Sequence, residues 1–208
     1  MIKTEYYFKN KKFLKDLNYD NTYDVLYNLN NYIDSVTNKK IIGKNCNIGE
    51  DVVIEDHVII KDNVTINAHA YIRAYSIIGE DCVIGHSSEV KHTIMFPGSK
   101  IGSLCFVGDS IIGEKSRIGS GTIISNRRFD QGEVGVKIDG TYYHLKSNFF
   151  GVILGDCSRI GAKCVTYPGT HIGSYSWIYP LNRVKGFIKS NVSVDNDKII
   201  DLENHELI

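Results

Sequence analysis

The chain has 208 residues, enough for one ordinary domain with a small appendage. Lys plus Arg and Asp plus Glu each number 24, so the formal net charge is zero and nothing electrostatic draws the chain to nucleic acid or an anionic membrane. No apolar run approaches the roughly 20 residues of a membrane span, and the opening MIKTEYYFKN has no apolar core of a secretion signal, so a cytoplasmic location is expected.

Residues 1–38 form the first region. FKNKKFLKDL and YDVLYNLNNYIDSV space apolar side chains as helices do (Leu26, Leu29, Ile33, Val36), which predicts one or two short helices. An amphipathic helix must dock, so this one is expected to cover an end or side of the main domain.

Residues 41–185 carry a period of six. Ile42, Ile48, Ile54, Ile60, Ile66, Ile72, Ile78 and Ile84 recur at that spacing, with Val90 next. The period is neither helical nor that of one continuous strand; it is the mark of a parallel β-helix built from hexapeptides, here expected to be left-handed. Four residues after each anchor comes a small or β-branched residue (Cys46, Val52, Val58, Val64, Ala70, Ser76, Cys82, Ser88), as suits the inside of a narrow coil. Gly43, Gly49, Gly79 and Gly85 directly follow anchors and are expected where the chain bends. The pattern slips by one residue after Val107, continues through Ile112, Ile118 and Ile124, and resumes from Leu154 to Val184. Residues 127–150 interrupt it, as a loop expelled from the solenoid, either functional or a plain surface hairpin. Residues 186–208 form a tail that could cover the far end.

Cys46, Cys82, Cys105 and Cys164 all fall in the small inward slot, so they read as packing. With Cys157 they make five, an odd number without a CxxC pair, which speaks against a disulfide framework or a zinc site; no metal is expected. Asn63 and Asn191 sit in N-x-S/T patterns that a cytosolic protein carries by chance. No Walker loop, HExxH or G-x-S-x-G occurs.

If three hexads make one triangular coil, residues 18 apart stack on neighbouring strands about 4.8 Å apart. Arg73 and Lys91 are 18 apart, both directly after an anchor. Two like charges that close repel unless an anion joins them, so the pair is either a phosphate site or a solvated corner. Glu55 lies next in the same column, and Lys61, also after an anchor, shows that such corners tolerate charge. Of the scattered histidines, His92 stands out because it neighbours Lys91.

The stretch RAYSIIGEDCVIGHSSEVKHTIMFPGSKIGSLCFVGDSIIGEKSRIGSGTIISN resembles the C-terminal β-helix of bifunctional sugar-1-phosphate nucleotidyltransferase/glucosamine-1-phosphate acetyltransferases, most specifically in VGDSIIG and GSGTIISNRRFD. The tail WIYPLNRVKGFI is similar to that of standalone, nucleotidyltransferase-like relatives, and the resemblance covers about residues 1–190. The family's nucleotidyltransferase domain has no counterpart here, so uridylyl transfer is not expected.

The resemblance implies that Arg73 and Lys91 hold the sugar phosphate and that Asn126 contacts the amino-sugar site. It places Ser103 where the family has its general-base histidine, and Phe106 where it has a tyrosine. Serine has no accessible pKa near 7 and cannot serve as that base, which leaves His92 or His86, or an amine that arrives neutral. The implied function is an acyltransferase using acetyl-CoA or another acyl-CoA on an amino-sugar 1-phosphate, in a homotrimer. A non-catalytic sugar-phosphate or nucleotide-sugar binder, alongside a separate nucleotidyltransferase, is the alternative. A purely structural trimerising rod is a third.

Overall fold

The computed structural model describes residues 3–9, 22–196 and 198–202. Its body is a left-handed parallel β-helix. Short strands stack on three faces: sheet A of eight strands, from Ile41–Ile42 to Phe187–Ile188; sheet B of nine, from Asn47–Ile48 to Lys198–Asp201; and sheet C of seven, from Val53–Ile54 to Arg183–Val184. No helix among the described residues is long and apolar enough to cross a membrane.

The six-residue period becomes a register of 18 in the first coils, where Ile41 pairs with Ile59 and Val53 with Tyr71. The register then tightens to 17, with Ile77 on Ile94 and Ile94 on Ile111. The lost residue falls at the corner leading from sheet C to sheet A. There Val90 to Met95 and Val107 to Ile112 span five positions instead of six. The slip therefore begins one coil earlier than the anchors suggest, with Met95 as a buried anchor of its own.

The anchors fill the coil as one continuous core from Val58 to Val194, while Cys46, Val52 and Ile54 of the first coil are only partly covered. The small inward slot does more than save space. Its S–H and O–H groups donate to corner carbonyls of the next coil: Cys82 to Phe96 O, Ser88 to Gly102 O, Cys105 to Gly119 O, Ser158 to Gly173 O and Cys164 to Tyr179 O. Those carbonyls turn inward and would otherwise be buried without a partner.

The glycines after the anchors are not the bends. The left-handed corner residues are Asn45, Asp51, His57, Asn63 and their successors, nearly all non-glycine. Gly85 is small because a Cβ there would lie 2.4 Å from Ser103 N on the neighbouring coil, and Gly43 and Gly49 meet the same obstacle at 2.5 Å. Coil-to-coil backbone approach, not φ, demands them.

A second core lies outside the coil. On sheet A the residue before the anchor is again apolar (Ile59, Ile77, Ile94, Ile111, Ile153), and all five are buried. Leu26, Leu29 and Ile33 of the helices Asp24–Tyr27 and Leu29–Val36 cover it, together with Val134, Val136, Ile138 and Leu145. The expected N-terminal helix thus lies along a side, not an end; Val36, at its last turn, is exposed. Most of the FKNKKFLKDL segment lies outside the described residues.

The interrupting segment holds a hairpin, Gly135–Ile138 and Thr141–His144, turned at Asp139–Gly140 with both φ positive, as a tight two-residue hairpin requires. It folds back onto sheet A. Nearer the N-terminus, Tyr7 and Phe8 pack on the same face, and the buried Asp156 carboxylate accepts the backbone N–H groups of Lys9 and Glu114.

Candidate active site

The corner from sheet C to sheet A is the crowded one. Its left-handed residues stack as His57, Tyr75, His92 and Asp109, with φ between 45 and 58°. Asn126 follows in the same column, where residues 127–150 leave the coil. Shortening the corner at His92 and Asp109 moves the left-handed position one residue nearer the anchor, so an imidazole and a carboxylate from successive coils meet.

Asp109 is the hub. Its side chain is 8% exposed, and its Oδ2 lies 3.4 Å from Lys91 Nζ; its Oδ1 lies 3.0 Å from the buried Nδ1 of His92, a charge contact that is not aligned as a hydrogen bond. Asn126 Nδ2 donates to Oδ2 at 2.6 Å. Burial pushes the carboxyl pKa up, but His92, Lys91 and Asn126 outweigh burial and hold it below the ordinary carboxylate value. Gly108 makes room for this: a Cβ there would lie 2.7 Å from Asn126 Nδ2 and 3.0 Å from the Phe106 ring.

Arg73 and Lys91 occupy successive levels of one column, as their spacing predicts, for Ile72 pairs with Val90. The anion that relieves their repulsion is the chain's own. Arg73 Nη1 lies 2.9 Å from Glu89 Oε1, and Lys91 pairs with Asp109. Glu55 does not pair with Arg73; it accepts from the Tyr71 hydroxyl and the Ala74 N–H. Lys91 also sits 4.8 Å from the centre of the Phe149 ring, which links the column to the interrupting segment.

Lys91, His92, Phe106 and Asn126 are therefore brought together around Asp109, and Arg73 sits one coil away. Ser103 is not among them. It lies at the opposite edge of sheet C, five residues before Gly108, on the order of 15 Å along an extended chain. Its N–H is held by Ser120 Oγ, and His86 is in register with it one coil below. The His86 Nε2 lies 3.0 Å from Ser87 Oγ. Asp109 and Glu89 escape a reading based on charge columns, although Asp109 stands in the VGDS segment. The shortened Val90–Met95 spacing was the available signal.

Two cavities flank the Asp109 cluster. One, of 220 Å³, lies between the N-terminal helices and the interrupting segment, with His92, Asn30, Tyr27, Lys146 and Phe149 on its walls. The other, of 530 Å³, lies beyond Asn126 and is bordered by Arg127, Arg128 and Arg183 with Phe129 and Tyr167. Phe129 is fully exposed beside it. Among the described residues no cluster of three or more His, Cys, Asp or Glu could hold a metal ion.

A family model described as the GMPPB C-terminal domain matches residues 54–165, just over half of the chain. A bifunctional sugar-1-phosphate nucleotidylyltransferase/acetyltransferase of Sulfurisphaera tokodaii is 40% identical over 104 residues, 49% of this chain and 26% of that protein. The bifunctional protein GlmU of Methanocaldococcus jannaschii is 40% identical over 108 residues, 52% of this chain and 26% of that protein. The match thus spans about a quarter of the length of these curated relatives. Among solved structures, a mutant of AntD, an N-acyltransferase from Bacillus cereus crystallised with a dTDP-amino-sugar and coenzyme A, aligns at TM-score 0.48 and 15% identity, over 82% of this chain and 87% of that one. The UDP-N-acetylglucosamine O-acyltransferase of Moraxella catarrhalis aligns at TM-score 0.39 and 18% identity, over 77% and 64%.

Proposed function

From the premise that the chain belongs to the GMPPB C-terminal domain family, we propose that it is an acyl-CoA-dependent N-acyltransferase acting on an amino-sugar phosphate, with His92 as its base. The single observation that carries the reading is the His92–Asp109 pair with Lys91 and Asn126 on the same carboxylate. The name of the Sulfurisphaera tokodaii relative, 40% identical over 49% of this chain, includes acetyltransferase and supports the reaction class over a purely binding role.

In this reading the nearby Asp109 charge favours the proton on Nδ1 of His92, so that Nε2 can present a lone pair. Nε2 removes a proton as the sugar amine attacks the thioester carbonyl. The new C–N bond forms, the C–S bond breaks, and the departing thiolate takes the proton back from the imidazolium. A coenzyme A phosphate end suits Arg127 and Arg183 of the larger cavity, Arg128 being paired there with Asp130, with its base against Phe129 or Tyr167. Lys91 and Arg73 are placed to take the sugar phosphate in exchange for Asp109 and Glu89. Of the two histidines that the sequence leaves open once Ser103 is set aside, this reading takes His92 over His86. A homotrimeric assembly and acetyl as the acyl group belong to the same proposal.

The test is incubation of the purified protein with acetyl-CoA and glucosamine 1-phosphate, following free thiol. Acceptor-dependent thiol release supports the reading. A rate equal to buffer with this amine, and with nucleotide-linked amino-sugars, overturns it.

A further inference from the structure

Besides the Asp109 charge beside Nδ1, the His92 ring has a hydrogen-bond contact that comes from far away in the sequence. Its Nε2 lies 2.9 Å from Asn30 Oδ1, 62 residues distant. Asn30 belongs to the helix Leu29–Val36, whose Leu29 and Ile33 are buried against the outside of sheet A. One turn further on, Asp34 Oδ1 lies 2.8 Å from Nδ1 of His57, which occupies the same corner column two coils from His92. Two polar contacts four residues apart thus align the helix with the very column that carries the candidate base.

We infer that Asn30 is a positioning residue for His92, and that the N-terminal helix is one wall of the acceptor pocket and not only a cover for sheet A. The inference rests on the reading of His92 as the base. Asn30 Oδ1 can only accept, so the 2.9 Å contact has Nε2–H donating to it; when the ring gives up that proton, the Nε2 lone pair and Asn30 Oδ1 stand side by side where an amine must enter. A primary amine has two N–H groups. One donates to Nε2 and is abstracted; the other donates to Asn30 Oδ1. A hydroxyl has a single hydrogen and can satisfy only one of the two acceptors, so this pair selects amines over alcohols. The 220 Å³ cavity beside them, walled by Tyr27, Phe149 and Lys146, gives such an amine a ring-sized space with two aromatic faces. In the free protein Asn30 Oδ1 accepts Nε2–H and keeps the imidazole turned toward the pocket.

The groups that face His92 are Asp109 and Lys91 from the coil, Asn30, Tyr23 and Tyr27 from the helices, and Lys146 from the interrupting segment. Asn30 is solvent-exposed, so its substitution leaves the core intact. The experiment is a pH titration of His92 by NMR on the intact, substrate-free chain with labelled histidine, for the wild type and Asn30→Asp. A carboxylate in place of the carboxamide favours the imidazolium, so the midpoint moves up by about one pH unit. An Asn30→Asp midpoint equal to the wild type overturns the inference, whether or not the chain transfers acetyl groups. If acetyl transfer to glucosamine 1-phosphate is detected, Asn30→Ala lowers kcat for the amine by about tenfold or more and the acid limb of the Asn30→Asp rate profile moves up in pH; unchanged profiles in both also overturn it. Absence of transfer in the wild type removes the proposed activity while the titration still decides the contact.

Discussion

Asp109 Oδ1 and His92 Nδ1 lie 3.0 Å apart on successive coils, each residue at a left-handed corner one position shorter than its neighbours in the column. A solenoid of uniform hexapeptides would set these side chains a residue further along. Removing one residue from each of two consecutive corners brings a carboxylate against an imidazole without disturbing the inward anchors Met95 and Ile112. The candidate site is therefore a local edit of the repeat.

Replacing Asp109 by Asn keeps the shape and removes the charge that fixes the His92 tautomer. Thiol release from acetyl-CoA falls by on the order of 10²-fold. The same carboxyl titrates below its ordinary value near ~3.9 in the folded state. The stability it contributes is present above that value and is lost as pH falls through the folded pKa. Urea unfolding of Asp109→Asn thus shows a weaker dependence on pH below about 4.

His171 is fully enclosed, and burial depresses its pKa to about 4. It packs parallel to Phe150 with ring centres 5.9 Å apart and has Nδ1 2.9 Å from Gly169 O. An unfolded histidine titrates near ~6.5, so the stability held by the neutral ring is complete above that pH. It is lost as pH falls from there toward 4, by on the order of 3 kcal/mol. Unfolding midpoints for His171→Phe should fall less steeply over this window than those of the wild type, and parallel slopes would show that His171 is not buried neutral.

Gly85→Ala places a methyl group 2.4 Å from backbone atoms of Gly102 and Ser103. It destabilises by about 3 kcal/mol or more, since backbone cannot yield as a side chain can. Leu104→Gly, at φ 59° and largely exposed, changes stability by less than about 1 kcal/mol. Thermal or urea unfolding of the two variants separates close approach from backbone bending as the reason for the repeat's glycines.

Ile94 points away from the coil interior and Met95 into it, yet both are fully buried. Truncating either to Ala costs about 2–5 kcal/mol. A negligible loss at Ile94, measured by denaturant unfolding, would mean that the helices and hairpin do not stay on sheet A in solution.

The repeat made the coil legible, because one inward side chain every six residues is a constraint no other fold imposes. The covering of sheet A leaves doubled isoleucines at Ile59–Ile60, Ile77–Ile78 and Ile111–Ile112, but the doublet does not by itself reveal a covered face, since Ile123–Ile124 on sheet C and Ile41–Ile42 carry it with Ile123, Ile41 and Ile42 exposed. The column of Arg73 and Lys91 follows from spacing alone. Their partners do not, because an 18-residue spacing fixes the column but not the side-chain direction, and both basic groups turn to carboxylates of the next coil. Asn30 could not be read from sequence at all, since its meeting with His92 depends on how a helix docks 62 residues away. The resemblance put Ser103, which cannot act as a base, at the base position and left His92 or His86; the structure sets His86 beside Ser103 and His92 beside Asp109, at opposite edges of sheet C.

The measurement that bears most directly on the central claim compares acceptor-dependent thiol release from acetyl-CoA by the wild type, His92→Ala, His86→Ala and Ser103→Ala. His92 as the base predicts a loss of about 10²–10⁴-fold for His92→Ala alone, with the other two variants within a few-fold of wild type. Full activity in His92→Ala, or a comparable loss in His86→Ala or Ser103→Ala, would contradict it and return the proton-handling role to the opposite edge of sheet C.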